Sequence, residues 1–221
     1  YMSEYLSFAI LKKIINFVFH EPGIINMDKY IDLLKTLITI PSFSREEEKA
    51  AEVLRNFMSR EKVSFYTKKN NTWAYNKFFD QKKPVILLNS HIDTVRPAKS
   101  YKLNPFEPIE EGDIIYGLGS NDAGGPLISL LATFIHFFEK SDLNYNLIFA
   151  ATAEEEISGN NGLEAVLPEL PPIDFAIIGE PTCMSLAVAE KGLLVLDCYA
   201  HGKSGHAARN EGENALYKAI E

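Results

Sequence analysis

His91 and Asp93 stand two residues apart in Asn89-Ser-His-Ile-Asp93. On extended backbone, residues i and i+2 point to the same side. Asp93 could therefore hold one imidazole nitrogen while the other binds a metal ion, the common arrangement behind a histidine ligand. A surface histidine with an acidic neighbour has the same pattern. Asp122 lies in Gly117-Leu-Gly-Ser-Asn-Asp-Ala-Gly-Gly-Pro126, which has four glycines in ten residues. Such a backbone can approach a ligand closely. An Asp there could bridge two cations, or it could cap the helix that begins near Pro126. The loop lacks the Lys-Ser/Thr ending of a phosphate loop, so nucleotide binding is discounted.

Glu154, Glu155 and Glu156 are consecutive. Three adjacent carboxylates repel one another unless cations or solvent offset them, and a bound metal holds them ionised. Neighbouring side chains diverge on extended backbone, so one glutamate can bind metal while the next faces a bound water. A solvated acidic loop is the plainer reading. Glu180 precedes Pro181, which biases its backbone toward extended conformations, and it could equally be a glutamate in a strand-end turn. His206, in Gly202-Lys-Ser-Gly-His206, is by spacing alone an ordinary loop histidine.

Three short apolar runs lead into these residues. Val85–Leu88 runs into His91, 147–151 into the three glutamates, and Phe175–Ile178 into Glu180. Each run reads as a buried strand of a mainly parallel sheet. The intervening stretches 126–138 and 162–170 read as helices, so strand and helix alternate and the class is α/β. Functional groups gather beyond the carboxyl ends of the strands in such sheets. Upstream, Tyr30, Ile31, Leu34, Leu37 and Ile38 have helical spacing up to Pro41. Ala50, Val53, Leu54, Phe57 and Met58 mark a second amphipathic helix. Ser44 followed by Glu47 matches a capping box at its start. Residues 63–79 look like a strand pair with a turn at Asn70-Asn71. A hairpin is expected over 185–199, and a last helix from 212 on.

The 221 residues carry a formal net charge of −8, with 46% hydrophobic and 24% charged residues. An acidic chain does not suggest nucleic-acid binding, which usually needs a basic face. Leu6 to Phe19 is apolar, but it is short and is interrupted by Lys12-Lys13, which argues against a membrane span. Cys183 and Cys198 lack CxxC spacing and read as buried free thiols in a reducing, cytoplasmic setting. Residues 1–26 read as an extension outside the core, 27–182 as the catalytic domain, and 183–221 as the start of a smaller domain. Both termini suggest a piece of a longer reading frame.

Five motifs occur in a fixed order: Ser90-His-Ile-Asp-Thr-Val95, Gly117-Leu-Gly-Ser-Asn-Asp-Ala-Gly-Gly125, Ala153-Glu-Glu-Glu156, Gly179-Glu-Pro-Thr182 and Gly202-Lys-Ser-Gly-His206. Together they resemble the acetylornithine deacetylase / succinyl-diaminopimelate desuccinylase / carboxypeptidase G family of di-zinc hydrolases. The resemblance implies a zinc-peptidase-like catalytic domain and a smaller α+β lid that makes a homodimer. It implies two Zn2+, with Co2+ able to substitute. His91 and Glu180 would bind one zinc, Glu156 the other, and Asp122 would bridge them through a segment whose Asp122-Ala123 peptide is typically cis. Asp93 would orient His91, Glu155 would be the general base, and His206 would stabilise the oxyanion from the lid.

The chain departs from the family pattern at two points. Glu154 stands where the family usually has Asp, and alignment on Ala151-Thr-Ala153 makes Glu155 the base. The family's final histidine ligand has no counterpart in these residues. The implied activity is removal of the acyl group from a small N-acyl amino acid. The wording of 187–192 is most similar to the acetylornithine deacetylase branch, with N-succinyl-ornithine, N-succinyl-diaminopimelate or a dipeptide as alternatives. A non-catalytic binding homologue is disfavoured by the competent ligand types. Residues 1–221 by themselves are expected to bind metal weakly and to turn over nothing.

Overall fold

The computed structural model describes residues 5–7 and 27–220, apart from residues 184, 188, 190, 191, 193–195, 197, 207, 208 and 210. The chain divides into two compact units, Tyr1–Ser185 and Leu186–Glu221.

In the first unit the order is β1 (Tyr5–Ser7), α1 (Asp28–Ile38), α2 (Glu48–Arg60), β2 (Tyr66–Lys68), β3 (Asn71–Tyr75), β4 (Val85–His91), β5 (Ile109–Glu111), β6 (Ile114–Tyr116), α3 (Gly125–Phe137), β7 (Asn146–Thr152), α4 (Leu163–Val166) and β8 (Phe175–Ile178). The main sheet has the order β2-β3-β7-β4-β8. Strand β4 runs parallel to β7 and β8, while β3 is antiparallel to both β2 and β7. A three-stranded antiparallel sheet, β1-β6-β5, precedes the glycine-rich loop. This mixed sheet, parallel across β7-β4-β8 and flanked by helices, is the α/β architecture that the alternation of runs implied. The first-unit helices form for the expected reasons: α1 buries Tyr30, Ile31, Leu33, Leu34 and Ile38, and α2 buries Ala50, Ala51, Leu54, Phe57 and Met58. Pro126 sits in the first turn of α3, where its missing N–H costs nothing.

The period-2 alternation of the central strands divides the core in two. Leu88, Leu147, Phe149 and Ala151 face the cluster built on α1, α2 and α3, whereas Val85, Leu87, Ile148 and Ala150 face the side where Trp73 and Val166 pack. All seven residues of β7 are buried.

Four expectations are corrected. Strand β8 is an edge strand paired only with β4, and Phe175, Ile177 and Ile178 are 58%, 44% and 49% exposed, so its apolar run marks a strand that nothing among the described residues covers. The turn of the β2–β3 hairpin falls at Lys69-Asn70, one residue early, with Lys69 in the left-handed region (φ 54°). Cys183 and Cys198 are exposed, because they lie beyond the last strand of the sheet and outside both core clusters. The helix expected over 162–170 is shorter: α4 has four residues and continues as a single tighter turn, Leu167–Glu169, since Pro168 supplies no N–H.

In the second unit, Lys203 and Glu213 pair as an isolated antiparallel bridge, and α5 (Ala215–Ile220) follows. Asn214 Oδ1 accepts the Leu216 N–H at 2.9 Å as an N-cap. Much of the hairpin expected over 185–199 lies outside the described residues. No helix among the described residues is long and apolar enough to cross a membrane.

Candidate metal centre

The parallel register of β4 and β7 places His91 beside Thr152, so both strands deliver their acidic and imidazole groups at one end of the sheet. Strand β8 is joined to the same end. The Gly179 N–H donates to Asn89 O at 2.7 Å, and Ser90 Oγ donates to Gly179 O at 2.8 Å, which sets Glu180 next to His91. Below His91, the Ile92 N–H donates to Thr152 O at 2.8 Å and Ser42 Oγ donates to Ile92 O at 2.7 Å.

His91 is buried. Its Nε2 lies 3.2 Å from Asp122 Oδ1 and 3.9 Å from both Glu155 Oε2 and Glu180 Oε2. Ligand atoms of His91, Asp122 and Glu180 all fall within 4.8 Å of one another and could hold a metal ion. Asp122 reaches this position from an irregular turn, 120–124, in which it is extended (φ −116°, ψ 99°) and its peptide to Ala123 is cis. Gly119, in the left-handed region, and Gly124 close that turn through a Gly124 N–H to Gly119 O bond of 2.8 Å.

The other nitrogen of His91, Nδ1, is 2.8 Å from the backbone oxygen of Asp93 and 3.5 Å from its Oδ1. The imidazole is therefore held first by the main chain of Asp93. The carboxylate of Asp93, with Oδ1 near the ring, is engaged mainly by other donors. Its Oδ1 accepts the Glu155 N–H, and its Oδ2 accepts the Glu156 N–H, both at 3.1 Å, while Ser44 Oγ donates to Oδ2 at 2.7 Å.

The three glutamates separate. Glu154 is buried, adopts left-handed backbone (φ 55°), and turns its carboxylate onto Asn161, whose Nδ2 donates to it at 2.8 Å. It serves the loop, not the cluster. Glu155 faces His91. Glu156 is outside the group of three ligand atoms, yet it feels the same field. Burial raises its pKa, and the Asp122, Glu155 and Asp93 carboxylates add to that rise against the opposing pull of His91. His206 belongs to the second unit, where the Arg209 N–H donates to its backbone oxygen at 2.9 Å.

Electrostatics describe a site short of positive charge. Burial disfavours a charged His91, but hydrogen bonds to Asp122 and Asp93 and the nearby Glu180 outweigh it and push its pKa up to about 11. Burial raises Glu180 to about 7, helped by Glu155, Asp122 and Glu156 and opposed by His91. Asp93 is held below its ordinary value despite burial, because His91, Ser44 and the Glu155 amide hydrogen-bond to it. One imidazole and several converging carboxylates form a donor set that suits a divalent cation such as zinc. Neutral imidazole and ionised carboxylates are what a cation selects, so binding would displace protons.

Ser44 and Glu47 were not identified as site residues by the sequence, which showed them as a capping box. That box does not form. Neither side chain caps α2; Ser44 goes to Asp93, and buried Glu47 accepts the Glu154 N–H at 3.2 Å. Asn71, read as a turn residue, accepts the Ala153 N–H at 2.9 Å. The only signal in the sequence was a motif of the right residues serving a different partner.

Comparison with known proteins agrees with this geometry. Residues 87–220 match the model of peptidase family M20/M25/M40. A succinyl-diaminopimelate desuccinylase of Orientia tsutsugamushi (strain Boryong) is 30% identical over 198 residues, covering 80% of this chain and 50% of the relative. A LysW-lysine/LysW-ornithine hydrolase of Sulfurisphaera tokodaii is 35% identical over 190 residues, covering 85% and 49%. The chain thus spans about half the length of the curated relatives it matches. Among solved structures, an M20 family metallo-carboxypeptidase from Sulfolobus solfataricus superposes with a TM-score of 0.56 at 26% identity, over 69% of this chain and 37% of that one.

Proposed function

The chain belongs to peptidase family M20/M25/M40, and from that premise we propose that the protein hydrolyses the amide bond of a small N-acylated diamino acid. The observation that carries this reading is the convergence of His91, Asp122 and Glu180 within 4.8 Å, with Glu155 Oε2 at 3.9 Å from the same imidazole nitrogen. The matched relatives are named for succinyl-diaminopimelate and for lysine or ornithine conjugates, all built on diamino acids. N-acetylornithine is the first substrate of this proposal, with 187–192 as its motif-level support. The desuccinylation reading stands second, favoured by the Orientia relative.

His91, Glu180 and Asp122 would hold one zinc ion, and Glu156 with Asp122 would hold a second; cobalt could replace zinc. When bound, two such ions would supply Lewis acidity and lower the pKa of a water toward neutrality. Glu155 accepts the proton of the attacking water and returns it to the leaving amine. Asp93 fixes the ring of His91 and the backbone of the glutamate pair. His206 donates to the oxyanion, from the smaller domain of a homodimer.

A panel of N-acetylornithine, N-succinyl-ornithine, N-succinyl-diaminopimelate and dipeptides, assayed on the full-length enzyme with zinc or cobalt, tests the reading. Turnover of one acyl class that is lost in Glu155→Ala supports it. No turnover of any of them, or a Glu155→Ala variant equal to wild type, refutes it.

A further inference from the structure

We infer that Ser44 and Glu47 are positioning residues that clamp the acidic loop 154–156 from outside the motifs, Ser44 through Asp93 and Glu47 directly. The role in the reaction rests on the reading above; the clamp itself rests on geometry. The loop between α1 and α2 folds back at Arg45, in the left-handed region (φ 76°), and presents both side chains to the end of the sheet. Glu47 has 0% exposure, and its Oε1 accepts the Arg45 N–H at 2.6 Å and the Glu154 N–H at 3.2 Å, while Oε2 accepts Asn70 Nδ2 at 2.7 Å. A buried carboxylate with three donors is a fixed point, since breaking any one bond leaves charge unsatisfied.

Ser44 acts one step earlier. Its hydroxyl and the Glu156 N–H share Asp93 Oδ2, and the Glu155 N–H takes Oδ1. The Ser44 bond is a third restraint on the carboxylate that both amides share, and so on the direction in which Glu155 and Glu156 leave the backbone. Three successive amides, 154, 155 and 156, are thus held by two carboxylates, and both carboxylates depend on residues 44–47.

Residue-resolved amide hydrogen exchange on the metal-free full-length protein, as wild type, Ser44→Ala and Ser44→Thr, tests the clamp, with a cobalt titration alongside. Ser44→Ala should speed exchange at Glu155 and Glu156 at least about tenfold, leave β4 and β7 amides unchanged, and weaken cobalt binding by about tenfold or more. Ser44→Thr, which keeps the hydroxyl, should restore both. Unchanged exchange at Glu155 and Glu156, or an equal rise across β4 and β7, would overturn the clamp. If wild type binds no cobalt while Ser44→Ala still loosens only the loop, the clamp stands and the metal-centre reading falls.

Discussion

The backbone N–H of Glu155 donates to the carboxylate of Asp93 at 3.1 Å, across 62 positions of sequence. Asp93 also presents its carbonyl oxygen to His91 Nδ1 at 2.8 Å. One residue therefore ties the imidazole of the candidate metal centre to the segment that carries the proposed base.

Glu155→Gln keeps the size of the side chain and removes its basicity. The kcat for the amide substrate should fall about 10²- to 10⁴-fold. Metal content, measured by elemental analysis, should stay at the wild-type level, because the His91, Asp122 and Glu180 group is untouched. Loss of metal along with activity would make Glu155 a ligand instead of a base.

Glu180 has a folded-state pKa raised from 4.5 to about 7. The folded protein therefore holds this proton more tightly than the unfolded chain. Its contribution to stability is complete below about pH 4.5 and is lost as pH rises through about 7. The Tm of metal-free wild type should fall relative to Glu180→Gln across that window. Added zinc should reverse the trend, since it selects the ionised form. A constant Tm difference between the two proteins from pH 4.5 to 7.5 would contradict the shift.

A Cβ on Gly124 would stand 2.5 Å from Gly119 O and 2.8 Å from Leu34 Cδ1. The first of these is backbone, so the turn carrying Asp122 must move. Gly124→Ala should cost about 1–3 kcal/mol and weaken metal binding at least about tenfold. Gly112→Ala is the control. Gly112, unlike Gly124, has positive φ (61°), but it has nothing within 4 Å, so this change should cost about 1–2 kcal/mol and leave metal affinity alone. Calorimetric metal titration and urea unfolding separate the two.

Phe149 is fully buried at the centre of β7, with its ring 5.9 Å from that of Phe134. Phe149→Ala should destabilise the first unit by about 3–5 kcal/mol, read from the urea midpoint. The polar bonds at the strand end should hold metal affinity close to wild type wherever the protein is folded.

The elements that were legible in the sequence were those with a local cause. Helices α1 and α2 follow from apolar spacing, α3 from a long apolar stretch, and β4 and β7 from short apolar runs between turn residues. Strand β8 was legible as a strand but not as an exposed edge. Its four residues have the composition of a covered strand, and exposure depends on what packs there. Ser44 and Glu47 show the same limit. A capping box and a loop clamp need the same residue types, and the choice between them is made by Asp93 and Glu154, 49 and 107 positions away.

The sequence by itself determined the ligand types, the strand ends that carry them and the family, because residue chemistry and hydrophobic period are local properties. Only the tertiary structure decided which oxygens meet. It joined His91, Asp122 and Glu180, turned Glu154 onto Asn161 and Glu155 toward His91, and drew Ser44 away from its own helix. These outcomes depend on the register of parallel strands and on buried carboxylates seeking donors. Both are settled by the packing of distant segments against one another.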